Sequence, residues 1–238
     1  MPTANIAENL TRIREQITDA CRRAKRPESE VALMAVSKMH PAEAILEAYA
    51  AGLRLFGENR VQEFAEKSPA LTHLTDASFH LIGPLQSNKA ARATELFHAI
   101  DSVDSLKIAT RLNTAASALG KKLPILIEIK LSHEDSKHGI APAELPALLA
   151  ALAPLESLIP AGLMTVPPVP DAAEDHGESA RPYFRQLREL RDQSLTTCPT
   201  LTQLSIGMSG DFAVAIEEGS TCIRVGTALF GKRIYPEA

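Results

Sequence analysis

Lys38 follows the apolar run Val31 to Val36, separated from it by Ser37 alone. Side chains alternate along an extended segment, so Met34, Val36 and Lys38 share a face, and an inward face brings the Lys38 amine to the strand end. An ammonium in partly dry surroundings has a depressed pKa, which an amine needs to form a Schiff base with a carbonyl. Position alone also allows Lys38 merely to end the strand in solvent. Phe56-Gly57-Glu58-Asn59 closes the next apolar run. The Asn59 amide could hydrogen-bond a ligand oxygen, but taken alone the segment reads first as an ordinary turn with Asn59 as a helix N-cap.

Two later segments, Leu204 to Asp211 and Ile223 to Thr227, each lead an apolar run into a loop of small residues before a helical pattern. Backbone N–H groups, the hydroxyls of Ser209 and Thr227, and the unhindered Gly210 and Gly226 beside Met208 read as an anion pocket. Arg224 lies two residues deeper than Gly226 on the same face, where a guanidinium needs an acceptor. A carboxylate such as Glu128 and a ligand lone pair are both open partners. His80, Glu128, Lys130 and Arg224 together suggest a polar network in the interior. The seven histidines are scattered, and Cys21, Cys198 and Cys222 are odd in number and far apart, which argues against a metal site and a disulfide framework.

The elements that must position these groups alternate. Short apolar runs at Val31 to Val36, Leu53 to Gly57, Phe79 to Gly83, Phe97 to Ile100, Ile125 to Ile129, Ile159 to Met164, Leu201 to Ile206 and Cys222 to Gly226 read as strands. Helical patterns separate them: Pro41 to Gly52, Leu106 to Leu119, Leu145 to Leu152, Phe184 to Leu195 and Phe212 to Glu218. Eight βα units are the number that closes a (β/α)8 TIM-type barrel, the expected α/β fold, with the strand C-termini and the loops after strands seven and eight forming the chemical end. An extra N-terminal helix precedes them, with Ile6, Leu10, Ile13, Ile17 and Cys21 on one face and Asn5 and Glu8 at its start. Residues 1–238 are expected to form one domain. Pro167 to Glu178, rich in Pro, Asp, Ala and Glu, reads as a mobile loop on the chemical face or as a plain solvated linker.

The formal charge, 25 Lys and Arg against 29 Asp and Glu, is −4 and carries no basic footprint for nucleic acid. Charged residues interrupt Met1 to Ile17, so neither a signal-peptide core nor a membrane span is expected there. The cysteine usage suits a reducing compartment, and a cytoplasmic protein is expected.

The motifs Ala35-Val36-Ser37-Lys38, Phe56-Gly57-Glu58-Asn59, His80-Leu81-Ile82-Gly83-Pro84-Leu85-Gln86-Ser87-Asn88-Lys89, Ser136-Lys137-His138-Gly139, Gly162-Leu163-Met164, Leu204 to Asp211 and Ile223 to Thr227 closely resemble those of the pyridoxal phosphate homeostasis proteins. The resemblance spans nearly the whole chain and implies a barrel like the N-terminal domain of alanine racemase. It implies pyridoxal 5′-phosphate (PLP) held as an internal aldimine on Lys38. Asn59 is implied near the ring, Arg224 at the pyridine nitrogen, and Ser209, Gly226 and Thr227 at the phosphate; Met208 and Gly210 complete the expected cofactor-binding set. Gly210 and His138 are local departures from the family pattern and touch none of these roles.

An arginine facing the ring nitrogen keeps it unprotonated, which weakens the electron sink most PLP chemistry exploits. Related racemases also take a tyrosine from a further domain and a partner subunit, whereas only Tyr49, Tyr183 and Tyr235 exist here and the chain ends at Ala238. The expected function is therefore PLP buffering or delivery without robust catalysis. A PLP-dependent amino-acid racemase is the main alternative, and a PLP-free Schiff-base aldolase a further one. Expected partners are PLP and PLP-dependent apo-enzymes, with no nucleic acid and no membrane, for a protein expected as a monomer.

Overall fold

The computed structural model describes residues 5–132, 138–168 and 175–231. Eight strands, β1 (Ala32–Val36), β2 (Leu55–Glu58), β3 (Ser78–Leu81), β4 (Ala99–Val103), β5 (Leu123–Glu128), β6 (Leu158–Met164), β7 (Gln203–Ser205) and β8 (Cys222–Val225), pair in chain order into a closed parallel barrel. β8 closes on β1 in a register that sets Met34 beside Arg224 and Ala35 beside Val225. The expected strands all form, with ends displaced by a few residues.

Around the barrel run α1 (Ile6–Ala24), α2 (Ala42–Ala50), α3 (Val61–Lys67), α4 (Ala90–Leu96), α5 (Leu106–Ala118), α6 (Leu145–Leu152), α7 (Arg181–Ser194), α8 (Phe212–Glu217) and α9 (Thr227–Phe230). The short helices α3 and α4 carry too few turns to declare an apolar period and have no counterpart among the helical patterns read from the sequence, whereas α9 follows the β8 loop as expected. Among the described residues no helix is long and apolar enough to cross a membrane.

The β-branched and aromatic strand residues alternate between two environments. Ala35, Phe56, Phe79, Ile100, Ile125, Ile127, Ile129, Leu204, Ile223 and Val225 belong to the main core beneath the helices. Leu126, Ala161 and Met164 form a smaller separate cluster. Phe64 on α3 packs its ring 4.8 Å from both Phe79 and Phe97, which seats α3 against the sheet despite its shortness.

The N-terminal helix has the predicted start, where the Asn5 side chain accepts from Glu8 N. Its stripe of Leu10, Ile13 and Ile17 is buried, and each such side chain contributes about 1.5–3 kcal/mol. This stripe packs α1 against α8 and α9, the helices that follow β7 and β8. Asn9 Nδ2 also donates to Leu229 O (2.9 Å), and Arg23 pairs with Glu217.

The expected interior network divides in two. His80 Nδ1 meets Asp101 at 3.1 Å and, with His98, Ser78 and Gln203, lines a cavity of about 320 Å³. Glu128, Lys130 and Arg224 line a different cavity. His80 lies before the C-terminal end of β3, whereas Lys130 lies beyond the end of β5, so the two groups face different depths of the barrel.

Candidate functional site

The strand C-termini surround a cleft of about 460 Å³. All eight residues singled out from the sequence, Lys38, Asn59, Met208, Ser209, Gly210, Arg224, Gly226 and Thr227, line it. Three adjoining loops, after β1, β7 and β8, supply six of them, and Asn59 and Arg224 complete the set.

Lys38 stands between two residues whose backbones are gripped from behind. Ser37 Oγ donates to Glu58 Oε1 (2.8 Å), and Lys67 Nζ donates to Ser37 O (3.1 Å), Glu58 Oε1 (3.0 Å) and Glu63 Oε1 (2.6 Å). Glu63 Oε1 also accepts from Met39 N. Glu58 is fully buried, and burial pushes its carboxyl above the usual range against the opposing Lys67 charge. Neither Glu58 nor the two residues on α3 had been given a role from the sequence. A glutamate on the strand face shared with Phe56, followed by Glu63 and Lys67 one helical turn apart, was the signal available.

Asn59 is not a helix cap. Arg60 occupies the cap position of α3, leaving Asn59 on the cleft wall. Its backbone is pressed against Gly83, where a Cβ would come within 2.3 Å of Asn59 O. That close approach requires glycine and explains one residue of the long motif around Pro84.

Arg224 is buried, and its two terminal nitrogens find acceptors on Ser205, the last residue of β7, and on Thr165, just past the end of β6. Nη1 donates to Ser205 O and to Ser205 Oγ (2.8 Å), while Nη2 donates to Thr165 O (2.8 Å). Among the described residues no carboxylate lies within ion-pair distance of it. Burial draws the guanidinium below its ordinary range, with Asp101, Asp211 and Glu128 among the charges opposing this. Glu128, also buried and lining the cleft, has its carboxyl pushed up to about 7 by burial, against the favourable charge of Arg224. Of the two partners left open for Arg224, Glu128 makes no direct pair with it.

The loops after β7 and β8 are fastened to each other. Gly207 O accepts from Arg224 N (2.8 Å), and Ser209 Oγ accepts from Ala228 N (3.2 Å). The Met208 amide is held by Asp211 Oδ1, so Met208 lines the wall without offering its N–H. The amides of Ser209, Gly210, Gly226 and Thr227 have no acceptor among the described residues. Unpaired backbone donors gathered on one wall suit an anion. Gly177, near the end of the long loop before α7, packs on this turn: a Cβ there would lie 2.6 Å from Asp211 Cα. Half of the loop expected to be mobile, residues 169–174, lies outside the described residues, as do Ser136 and Lys137.

The opposite wall holds Lys130, Ser132, His138 and Val166, none of which was in the predicted set. Ser132 Oγ is buried and has no partner among the described residues. Among the described residues no group of His, Cys, Asp or Glu is arranged to hold a metal, and no tyrosine lines the cleft.

The closed barrel and this arrangement of loops define a protein of the alanine racemase N-terminal domain class, whose family model matches residues 8–234. A curated relative from Aquifex aeolicus (strain VF5), the pyridoxal phosphate homeostasis protein, is 43% identical over 97% of this chain and 100% of its own length. PipY of Synechococcus elongatus PCC7942 is 44% identical, with 95% of this chain and 100% of PipY covered; TM-scores are 0.85 for PipY without PLP and 0.83 with PLP bound. Alanine racemase of Clostridium difficile 630 shares the fold at a TM-score of 0.72 and 16% identity, with 98% of this chain matched to 57% of the racemase. The chain belongs to the family of pyridoxal phosphate homeostasis proteins.

Proposed function

We propose that this protein binds PLP in the cleft, with the Lys38 amine joined to the cofactor's aldehyde as a Schiff base, and that it holds or delivers the cofactor in PLP homeostasis. The carrying observation is the meeting of Lys38 with a wall of unpaired amides in one cleft. The full-length relation to PipY, described with PLP bound, supports the same reading. The residues present fit the group: the amides of Ser209, Gly210, Gly226 and Thr227 and the Thr227 hydroxyl are free to take a phosphate, while Asn59 and Arg224 face the same space. When bound, PLP supplies an electrophilic aldehyde and an electron sink. Arg224, a donor without an acceptor to offer, favours an unprotonated ring nitrogen and so a weak sink.

Lys38 sits at the cleft rather than in the packed core, so Lys38→Ala should keep the fold. Borohydride reduction followed by peptide mapping should find PLP on Lys38 in the parent and on no lysine in Lys38→Ala. A reducible adduct persisting on Lys130 or Lys137 would move the assignment. Alanine racemase activity should be negligible, since no described tyrosine lines the cleft; efficient interconversion of the enantiomers, abolished in Lys38→Ala, would overturn the holding role.

A further inference from the structure

We propose that Glu58, Lys67 and Glu63 form a positioning cluster that aims the Lys38 amine into the cleft, so that capture of an aldehyde depends on three side chains that do not line it. This inference rests on the Schiff-base reading above and adds to it the residues that govern the reacting amine. The three bracket Lys38 from both sides: Lys67 and Glu58 hold the carbonyl and the hydroxyl of Ser37, and Glu63 holds the amide of Met39. Ser37 is further tied to β2, its amide donating to Gly57 O at 3.0 Å.

Two features set the cluster apart from ordinary packing. Met39 has φ +62°, a left-handed conformation that a residue with a Cβ adopts at a cost, and the Glu63 contact to its amide holds it there. The Glu58 carboxylate is fully buried, with Oε2 lacking any hydrogen-bond partner among the described residues. A buried ion pair is seldom more stabilising than apolar residues of the same size, so the return on burying this one lies in geometry. What the geometry fixes is the turn Ser37-Lys38-Met39, whose central side chain alone of the three lines the cleft.

The fold suggests two variants that separate positioning from stability. Glu63→Ala removes the acceptor for Met39 N from a half-exposed helix residue, and Glu58→Gln with Lys67→Met removes both buried charges together, avoiding an unpaired one. Each is compared with the parent in three measurements: exchange of the Met39 amide in the protein without PLP, affinity for pyridoxine 5′-phosphate, and the first-order rate at which PLP becomes borohydride-trappable on Lys38. Pyridoxine 5′-phosphate has the phosphate but no aldehyde, so it reports the pocket without the amine. Misplacement of a reacting group by about 1 Å costs up to ~100-fold in rate. We expect faster Met39 exchange in Glu63→Ala, pyridoxine 5′-phosphate affinity within about twofold of the parent, and trapping slowed by about tenfold or more in both variants. Lys67→Arg, which keeps the charge, should recover most of the rate. Trapping at the parental rate in both variants would overturn the positioning role, as would equal losses of trapping rate and pyridoxine 5′-phosphate affinity, which mark a general structural role. Absence of trapping on Lys38 in the parent would instead overturn the Schiff-base reading on which the inference stands.

Discussion

Thr227→Val isolates one contact of the anion wall. Thr227 is the first residue of α9, exposed and lining the cleft, and its hydroxyl makes no hydrogen bond among the described residues. Valine keeps the shape and the backbone N–H while deleting the hydroxyl. A hydrogen bond to a charged group is worth about 1.5–3 kcal/mol, so PLP affinity should fall roughly 10- to 150-fold. Pyridoxal carries the aldehyde but no phosphate, and its affinity should not change. The parent should already separate the two ligands widely. Taken over the four unpaired amides, even the lower figure gives about 6 kcal/mol gross, and after the dianion's desolvation we expect about a thousandfold preference for PLP. Spectroscopic titration of parent and variant with both ligands at fixed ionic strength gives all four constants. Equal affinities of the parent for PLP and pyridoxal would refute the phosphate wall, and an equal loss for both ligands in Thr227→Val would show that the residue acts through the fold.

Two further outcomes follow from the buried charges. Arg224→Gln should leave PLP bound with an altered visible spectrum and pH titration. It should also lower Tm by several degrees, because glutamine cannot serve both the Ser205 and Thr165 carbonyls; complete loss of PLP with no thermal effect would contradict both roles. Glu128 is held at about 7 in the fold against 4.5 unfolded. A raised carboxyl favours the fold when neutral, so its support is fully present below pH 4.5 and is lost as pH rises to about 7, by roughly 3 kcal/mol at most. Glu128→Gln should therefore gain stability relative to the parent at pH 8 and lose that advantage at pH 4, as read from urea unfolding at both values; a pH-independent difference would place the Glu128 carboxyl in the ordinary range.

The barrel was legible because its strands are short, apolar runs bounded by turn residues, and because the inner-face alternation of Met34, Val36 and Lys38 survives without the structure. The cleft residues were legible for the same reason, each standing at the end of a strand already recognised. Less could be read where function depends on chain folding back over long distances. In the sequence Asn59 reads as cap or as ligand contact, and only the fold separates the two by giving the cap position of α3 to Arg60 and pressing Gly83, from a different unit, against the Asn59 backbone. Likewise, nothing in the spacing of Glu58, Glu63 and Lys67 says that they meet Ser37 and Met39, since that contact arises only when β2 lies beside β1. The sequence says that Arg224 needs an acceptor, yet its carbonyl partners, at the end of β7 and just past β6, follow from barrel closure and not from any side-chain pattern.

The docking of α1 on α8 and α9 bears on the order in which the molecule becomes competent. The helix at the beginning of the described chain braces the two helices that carry the anion loops, and β8 must find β1 before those loops have a common wall. These contacts span nearly the full sequence, and joining such distant segments is among the slow events of folding. In a growing or partly folded chain Lys38 needs only a formed β1–β2 pair, but the amides of the adjoining β7 and β8 loops come last. Cofactor capture during refolding should thus coincide with barrel closure in a single kinetic phase, leaving earlier, open intermediates unable to hold the cofactor by its phosphate.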